Sequence, residues 1–492
     1  MHDWAFAGIV LITLIVTNLV AFIRRGKVSF DIYASDPGYH ASWAIGFSMV
    51  GTIVGGGMFL AVGQMGYEAG LTGCAIGLAT LMGLVLVAVF APRFRAIMQE
   101  NNCSTLIQLL EKRFSRRVAI SYCLIGGAMY FFLLAGQFVA LYVFAQYAEQ
   151  LVAYKWLPWA LTGLAGVSML FYPVIGGLRK DISTDIFQVV LIVAGVAVLG
   201  YAVVGYADKA AVVLLPAKLY SGTAYGVPFL IAVFIFGPGL FLVRMDVWQR
   251  IIAAKSSGGV SIAMVSAGLV SLCFYAFFTA IGMVGQATNV VSAKEATLAV
   301  IRGAIADPYV LGLIVGAFFA CVLSSADTFI NNVSVMLVRP LRGKAWRTQG
   351  ERTSQTQLLV WSRAIAVLSV FGAGLIAFSA SDFVDLIAGA FTLLLIFLPT
   401  MLGIMVEQWR SERAAFWSAW IGVAVFVPSF FAWNPKGAFV VSVIAAFLAF
   451  AAVCRWFREP KTEPIVLQGA FETVCVPAEP ERPDGETGKK QS

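Results

Sequence analysis

Long apolar runs separated by short charged loops dominate this sequence of 492 residues. About 20 apolar residues form one helical crossing of a bilayer, where every backbone polar group must be satisfied within the segment. Such runs occur thirteen times, at residues 5–23, 42–70, 71–92, 118–148, 157–176, 184–206, 226–247, 258–285, 308–338, 357–379, 382–406, 413–433 and 437–456. The sequence therefore predicts an all-α polytopic membrane protein with 13 transmembrane helices.

Composition argues against the other classes of protein. Hydrophobic residues make up 60% and charged residues 12% of the chain, whereas soluble proteins are about half apolar and a quarter charged. His2 and His40 are the two histidines and the seven cysteines form no CxxC pair, so the sequence predicts neither a catalytic relay nor a zinc site. The net charge of +8 lies between apolar spans, which argues against nucleic-acid binding. We expect a non-enzymatic protein whose partners are the bilayer and a small solute, active as a monomer.

Basic residues concentrate in alternate loops. One set of loops contains Arg24, Arg25 and Lys27, followed by residues 93–117, 179–180, 250–255, 339–352, 410–413 and 455–461, and the other set carries few cations. By the positive-inside rule, the basic loops face the cytoplasm. This predicts a multi-pass protein of the inner or plasma membrane, with its N-terminus outside and its C-terminus in the cytoplasm. The tail, residues 459–492, is rich in Pro, Glu, Thr and Lys and is predicted to be disordered.

Two spans carry an unusual density of helix-breaking residues. The second contains Gly55-Gly56-Gly57 among other glycines, and the seventh carries Gly237-Pro238-Gly239 at its middle. Proline removes a backbone donor and glycine relaxes a helix, so both spans are predicted to be broken; the alternative is that the glycines serve only close packing. The seventh span comes five after the second, an odd offset, so the two cross in opposite directions, as inverted five-helix repeats with a midplane binding site require. The predicted organisation is a first helix and loop (1–41), two repeats (42–206 and 207–406), two further helices (407–458) and the tail (459–492).

Oxygen-bearing side chains cluster in the ninth span. Ser324, Ser325, Asp327 and Thr328 lie within five consecutive positions. A hard cation such as Na⁺ prefers oxygen ligands, and hydroxyls can join carbonyls freed by a nearby broken helix. A single intramembrane hydroxyl commonly bonds to its own helix, but an intramembrane carboxylate is expensive and usually functional. The cluster therefore predicts a cation site.

Two more charged residues each have two interpretations. Asp185, near the start of the sixth span, is either a second cation ligand or an acid that complements the helix dipole. Arg244, in the seventh span, could bind a solute carboxylate or pair with Asp246. The third and fourth spans offer few polar side chains beyond Tyr130 and Gln137. This favours a solute with an apolar body and one charged end over a sugar.

Four stretches together resemble the sodium:solute symporter family, which includes proline, pantothenate and sodium/glucose transporters. They are residues 66–71 (GYEAGL), 176–188 (GGLRKDISTDIFQ), 248–255 (WQRIIAAK) and 324–327 (SSAD). The resemblance covers about residues 1–456. It implies the leucine-transporter-like fold of inverted repeats, with one helix before the core and two after it.

The resemblance also implies the site residues. One Na⁺, the expected coupling ion, would be bound by the carbonyls of Gly51, Val54 and Cys321 and the hydroxyls of Ser324 and Ser325. A possible second cation site maps to Asp185, Ser324, Asp327 and Thr328. Expected solute contacts are Gly56, Gln64, Gln137, Gly237, Leu240, Phe241 and Arg244. Three of these, Gly237, Leu240 and Phe241, stand where sugar transporters place their sugar-binding groups, which argues against a sugar.

The function predicted on these grounds is sodium-coupled secondary active import of a small organic solute by alternating access, with an amino acid or carboxylate preferred to a sugar. Two alternatives stay open. A transporter-like sensor would act through a partner protein, and a proton-coupled carrier of the same fold would use Asp327 or Asp185 as the protonated carboxylate.

Overall fold

The computed structural model describes residues 2–23, 28–149, 152–171, 176–209, 216–288, 290, 292–341, 352–377, 383–405, 411–432 and 435–456. The predicted disordered tail, 459–492, lies outside these residues, as do Arg24, Arg25 and Lys27. Helices account for almost all of the described structure. They are α1 (His2–Ile23), α2 (Phe30–Ala34), α3 (Ser42–Ile53), α4 (Gly63–Ala69), α5 (Thr72–Glu100), α6 (Leu106–Arg113), α7 (Arg116–Ala148), α8 (Trp156–Ser168), α9 (Leu178–Lys209), α10 (Val227–Val243), α11 (Met245–Ala253), α12 (Ser257–Ala287), α13 (Ala296–Ala304), α14 (Pro308–Leu341), α15 (Arg352–Ala377), α16 (Phe383–Leu395), α17 (Leu398–Met405), α18 (Glu412–Ala432) and α19 (Pro435–Trp456).

Within the described residues, nine helical segments are long and apolar enough to cross a membrane, and two bent helix pairs raise the number to eleven. The bent pairs are α3 with α4 and α10 with α11. The remaining two predicted spans correspond to α1, whose apolar stretch Trp4–Val20 is short, and to α8, which has 13 residues. The total of thirteen crossings stays a prediction, as do the repeat boundaries.

Helix α14 lies at the centre of the bundle. It packs against α1, α7, α9 and α15, and 78% of its most apolar window is buried. The polar residues of α14 therefore face other helices and must find partners there, because hydrocarbon offers none. Helices α3 and α9 also pack against each other, so α3, α9 and α14 enclose a common interface.

The second predicted span is broken where the glycines indicated. Helix α3 ends at Ile53, and Val54 adopts a non-helical conformation with φ −85° and ψ 71°. A π-helical turn, Met58–Val62, then leads into α4, which is bent by 59° from α3. The interruption frees backbone groups in the middle of the bundle, and it brings them beside α14.

The seventh predicted span is also broken, but the predicted position was wrong. The Gly237-Pro238-Gly239 stretch stays inside α10, and the bend of 53° occurs at Arg244, which is extended with φ −72° and ψ 123°. At Gly239 a Cβ would lie 3.0 Å from Leu398 Cδ1, so the glycine serves close packing. One missing donor at Pro238 does not unwind a helix that its neighbours pack so tightly.

Side chains of α7 and α11 form hydrogen bonds with the backbone groups freed at the Arg244 break. Trp248 Nε1 donates to the Leu242 carbonyl at 2.7 Å, and the Tyr122 hydroxyl donates to the Val243 carbonyl at 2.6 Å. On the other side of the bend, the Asp246 amide donates to the Tyr130 hydroxyl at 3.1 Å. The break is therefore stabilised by α7 and α11, which explains its position.

The short helix α2 and the loop after it connect several helix ends. The Tyr33 hydroxyl lies 2.9 Å from Ser334 Oγ on α14, and burial raises the pKa of Tyr33 to about 12, so its phenol stays protonated. Asp36 bonds to Arg179 Nε on α9 and to His40 Nε2, both at 2.8 Å. Although burial alone would raise it, the hydrogen bonds from His40 and Arg179 hold the pKa of Asp36 below its usual value. This loop is an ionic connection between α9 and the start of α3.

Candidate sodium and solute site

Three predicted ligands of the first sodium site come together between α3 and α14, namely Gly51, Ser324 and Ser325. Ser325 Oγ lies 3.2 Å from the carbonyl oxygens of both Gly51 and Thr52. Val54 and Cys321, the other two predicted ligands, are fully buried. A Cβ at Gly51 would clash with Ser324 Oγ, so only glycine allows α3 and α14 to approach this closely. Carbonyl and hydroxyl oxygens in this arrangement are the donor set that a hard monovalent cation prefers, and the residues therefore fit Na⁺.

Asp185 lies directly beside this site. Its Oδ1 accepts a hydrogen bond from Ser324 Oγ, and its Oδ2 accepts one from Ser48 Oγ at 2.5 Å. Helix α9 begins at Leu178, and its first-turn acid is Asp181. The interpretation of Asp185 as a first-turn acid was therefore wrong, because the helix starts two turns earlier than predicted. Asp185 connects α3, α9 and α14 at the level of the sodium ligands.

Arg250 lies at the centre of the same interface, which the sequence analysis missed. It was counted among the loop cations, but its side chain is fully buried. Its Nη2 lies 3.5 Å from both Asp181 Oδ2 and Asp185 Oδ2 and donates to Ser48 Oγ at 2.8 Å. The spacing of Asp181 and Asp185, four residues apart on one helix face, was a signal that could have indicated a buried cation.

The hydroxyl groups around Arg250 extend the network across the interface. Arg250 Nη2 donates to Thr52 Oγ1 at 2.5 Å and to Thr328 Oγ1 at 3.1 Å. Thr328 Oγ1 in turn donates to Asp181 Oδ2 at 2.9 Å and lies 3.1 Å from Thr52 Oγ1. Thr52 follows Gly51 directly, so this network fixes the backbone that carries one of the predicted sodium ligands.

Asp327 differs from the other carboxylates. It is 1% exposed, and neither of its carboxylate oxygens has a hydrogen-bond partner among the described residues. Asn331, one helical turn further along α14, also has unpartnered amide atoms in the part of the chain that the structure describes. Buried polar groups normally have partners, so Asp327 and Asn331 indicate a place where a cation, a proton or water belongs.

A cavity of about 280 Å³ adjoins the sodium site. Its lining includes the predicted ligand Ser325 together with Thr52 and Gly55, which lie against Ser325, so a solute in the cavity lies next to the predicted sodium site. Its wall is mostly apolar. The lining residues are Thr52, Ile53, Gly55, Gly57, Met58, Ala61, Val62, Met65, Ile76, Ala79, Thr80, Leu133, Gln137, Phe229, Val233, Gly237, Leu240, Phe241, Arg244, Tyr275, Ser325, Phe329, Ile387, Ala388, Phe391, Leu395 and Phe439.

Five of the expected solute contacts line this cavity, namely Gln137, Gly237, Leu240, Phe241 and Arg244. Gly56 lies behind the wall, with its amide donating to Gln137 Oε1 at 3.0 Å. Gln64 lies on α4, where its Nε2 donates to Glu68 Oε1 at 2.9 Å, and it is not among the lining residues.

Arg244 forms the pair with Asp246 that was one of its two interpretations. Its Nε donates to Asp246 Oδ1 at 3.0 Å and its Nη2 to Asp246 Oδ2 at 2.5 Å. Tyr130 adds a hydrogen bond of 2.5 Å to Asp246 Oδ1. One edge of the guanidinium, formed by Nε and Nη2, is therefore occupied, and the side chain borders the cavity. This arrangement neutralises the Arg244 charge within the wall.

Comparison with known proteins assigns the chain to a family. The sequence pattern of the sodium:solute symporter family matches residues 38–422. The sodium/sialic acid symporter of Aliivibrio fischeri is 24% identical over 381 residues, which cover 72% of each chain. The human sodium/glucose cotransporter 4 is 27% identical over 212 residues, or 42% of this chain and 29% of the human protein.

Solved structures establish the same fold. A Na⁺-coupled sialic acid symporter in a substrate-bound, outward-open state matches with a TM-score of 0.76 at 17% identity, covering 94% of this chain and 99% of the other. The transporter MhsT in complex with L-phenylalanine matches with a TM-score of 0.51 at 15% identity, covering 85% and 98%. The predicted leucine-transporter-like fold is thus confirmed. The chain belongs to the sodium:solute symporter family and is a sodium-coupled membrane transporter, not an enzyme.

Proposed function

We propose that this protein imports a small organic solute with an apolar body and one charged end, such as an amino acid or a carboxylate, together with Na⁺. The single observation that supports this most is that Ser325, a proposed sodium ligand, also lines the cavity, together with Thr52 and Gly55, which lie against it. A solute in the cavity and an ion beside Ser325 then both act on the conformation of the break between α3 and α4. Two ligands that favour the same conformation are thermodynamically coupled.

The residues that line the cavity support the proposed class of solute. Named relatives carry sialic acid, glucose, myo-inositol and iodide, so family membership leaves the solute open. Each hydroxyl of a sugar buried without a partner costs free energy, and this wall offers few side-chain partners. Leu240, Phe241 and Phe391 instead match an apolar body.

Coupling to one ion supplies enough free energy for uptake. An inside-negative potential of about 100 mV contributes roughly 2.3 kcal/mol per Na⁺, and a tenfold gradient adds about 1.4 kcal/mol. The total of roughly 3.7 kcal/mol corresponds to several-hundredfold accumulation of a neutral solute. In the proposed site this ion is bound by Gly51, Val54, Cys321, Ser324 and Ser325.

A second cation at Asp327, Asp185, Ser324 and Thr328 is part of the proposal. Asp181 and Asp185 lie beside the buried guanidinium of Arg250, and Asp327 is a third buried carboxylate. Uncompensated buried charge is expensive, and Asp327 has no protein partner in the described part of the chain. One Na⁺ at the first site still leaves a formal negative charge, which a second cation or a proton would neutralise.

The test of the first site is uptake into proteoliposomes with an imposed Na⁺ gradient. L-phenylalanine, benzoate and glucose serve as probes, selected first by thermal stabilisation of the purified protein with and without Na⁺. Ser324→Ala combined with Ser325→Ala should abolish Na⁺-driven uptake. Ser266→Ala is the matched control, because that hydroxyl bonds to the Ile262 carbonyl of its own helix at 2.7 Å on an exposed face. Unchanged uptake by the double variant would show that the site lies elsewhere.

The second site is tested by the ratio of charge to solute moved. Asp327→Asn should lower this ratio by one charge if a second cation binds there. A ratio that stays constant, with uptake following a proton gradient in place of the Na⁺ gradient, would support the proton-coupled carrier instead.

A further inference from the structure

Gln137 on α7 faces two sites at once. Its side chain is 3% exposed, and its Oε1 accepts the Gly56 amide hydrogen at 3.0 Å. Its Nε2 makes no hydrogen bond within the described residues, and the side chain borders the cavity. We propose that Gln137 couples the two sites, with its carbonyl oxygen positioning the backbone at the sodium site and its amide group binding an acceptor oxygen of the solute. This inference rests on the proposed function.

The backbone at the break packs closely between Gln137 and the proposed sodium ligands. A Cβ at Gly55 would lie 3.3 Å from Gln137 Oε1 and 2.9 Å from Ser325 Cβ. A Cβ at Gly56 would lie 3.1 Å from Gln137 Oε1 and 2.6 Å from Val322 Cγ2 on α14. The backbone of residues 55–56 is thus held between Gln137 on one side and α14 on the other. A displacement of the Gln137 carbonyl is therefore transmitted to the position of Ser325.

Other polar groups of the wall are less suited to this role. Arg244 is held by Asp246 through two hydrogen bonds, and Ser325 already contacts the carbonyls of Gly51 and Thr52. Gln137 combines an occupied acceptor with a free donor. A free amide donor recognises a carboxylate or carbonyl oxygen, so the solute presents that group towards α7.

Reciprocal coupling follows from this geometry. A solute oxygen that fixes the Gln137 amide also fixes its carbonyl oxygen, and thereby lowers the cost of ordering the break around Na⁺. By linkage, Na⁺ then raises the affinity for the solute by the same factor as the solute raises the affinity for Na⁺. Substitutions of Gln137 can test the role of its carbonyl oxygen and the role of its amide NH2 group.

Two variants test the acceptor and the donor of the Gln137 amide. Gln137→Met removes both the acceptor and the donor and leaves the Gly56 amide unpaired, so the Na⁺ concentration for half-maximal thermal stabilisation without solute should rise on the order of tenfold. Gln137→Glu keeps an acceptor and removes the donor. It should leave Na⁺ stabilisation within about threefold of the wild type, while a second carboxylate oxygen repels benzoate and L-phenylalanine and weakens their Na⁺-dependent effect about tenfold or more.

Gln146→Met is the matched control. It lies on the same helix at an exposed position, where its Nε2 donates to the Tyr142 hydroxyl at 2.9 Å, and neither response should change. The inference is overturned if Gln137→Met binds Na⁺ as the wild type does, or if Gln137→Glu responds to both probes as the wild type does. Should Gln137→Met fail to fold, the Glu variant decides alone, because its Na⁺ affinity should no longer depend on solute. A wild type that Na⁺ does not stabilise would instead refute the proposed function.

Discussion

Replacing Arg250 by methionine tests the buried charge network most directly. The guanidinium lies between two carboxylates, with Nη2 at 3.5 Å from Asp181 Oδ2 and from Asp185 Oδ2. Its Nε also donates to Ser48 Oγ at 3.1 Å. Methionine fills a similar volume but leaves both carboxylates without their cation, in a region from which solvent is excluded.

The expected cost is large. Removing one partner of a buried ion pair typically destabilises a protein by about 3–5 kcal/mol, because the other charge stays buried without compensation. Arg250→Lys keeps the charge but loses the planar fork that reaches Ser48, Thr52 and Thr328 together, so an intermediate loss of about 1.5–3 kcal/mol is expected. Adding Asp181→Asn to Arg250→Met removes one orphaned charge and should recover on the order of 1–3 kcal/mol.

The assay is equilibrium unfolding of the purified protein in mixed micelles. Wild type, Arg250→Met, Asp181→Asn and the double variant are compared as a cycle, and Arg250→Lys is measured beside them. Arg455→Met is the control, because Arg455 lies exposed at the end of α19 and exposed charges contribute at most about 1 kcal/mol. A loss below about 1 kcal/mol for Arg250→Met, with no recovery in the double variant, would refute the assignment of Arg250 as the counter-ion of Asp181 and Asp185.

Three further predictions concern the two breaks and the α2 loop. Gly55→Ala places a Cβ 2.9 Å from Ser325 Cβ, so it should weaken Na⁺ stabilisation about tenfold, whereas Gly163→Ala, with no atom within 4 Å of the new Cβ, should not. Tyr130→Phe leaves the Asp246 amide unpaired and should lower unfolding free energy by about 1–3 kcal/mol, and Tyr201→Phe, at a side chain 88% exposed, serves as its control. Because the pKa of Asp36 is lowered in the folded state, the stability that its ionised form provides is present above the unfolded value of about 3.9 and is lost as the pH falls below it. The difference in melting temperature between wild type and Asp36→Asn should therefore shrink as the pH falls below about 4, and a difference that is the same at pH 5 and pH 3 would contradict this assignment.

The sequence predicted the existence of both breaks but the position of only one. At Gly55 the glycines are themselves the reason for the break, because Ser325 leaves no room for a side chain. At Arg244 the break depends on Tyr122 and Tyr130, whose hydroxyls satisfy the freed backbone groups from more than 100 positions away in the chain. Local composition carries no information about such distant partners, so Gly237-Pro238-Gly239 was the stronger local signal and was misleading.

The residues of the candidate site were likewise predicted only in part. Ser324, Ser325 and Asp185 could be placed because hydroxyls and carboxylates are rare in an apolar span and therefore conspicuous. Arg250 was missed because it stands near the end of a span, where a basic residue has an ordinary explanation as a loop cation. Only the fold shows that α11 turns inward after the bend at Arg244 and buries this residue. Asp181 was missed with it, since the start of α9 was predicted too late.

The balance of charge at the interface gives the ion a structural role beyond supplying free energy. In their ionised forms, the buried carboxylates of Asp181, Asp185 and Asp327 exceed the charge of Arg250 by two, and Asp327 has no protein partner among the described residues. Repulsion between these charges disfavours close packing of the three helices until cations or protons compensate it. A cation therefore binds more tightly to the conformation in which the helices are close, and that difference in affinity is what shifts the population between conformations. Arg250, tethered to α11 by its backbone, compensates a fixed part of the charge, so the remainder sets how strongly the conformation depends on Na⁺. Asp327→Asn should consequently reduce the Na⁺ dependence of stability as well as the charge moved, and an unaltered dependence would argue that Asp327 is neutral in the wild type.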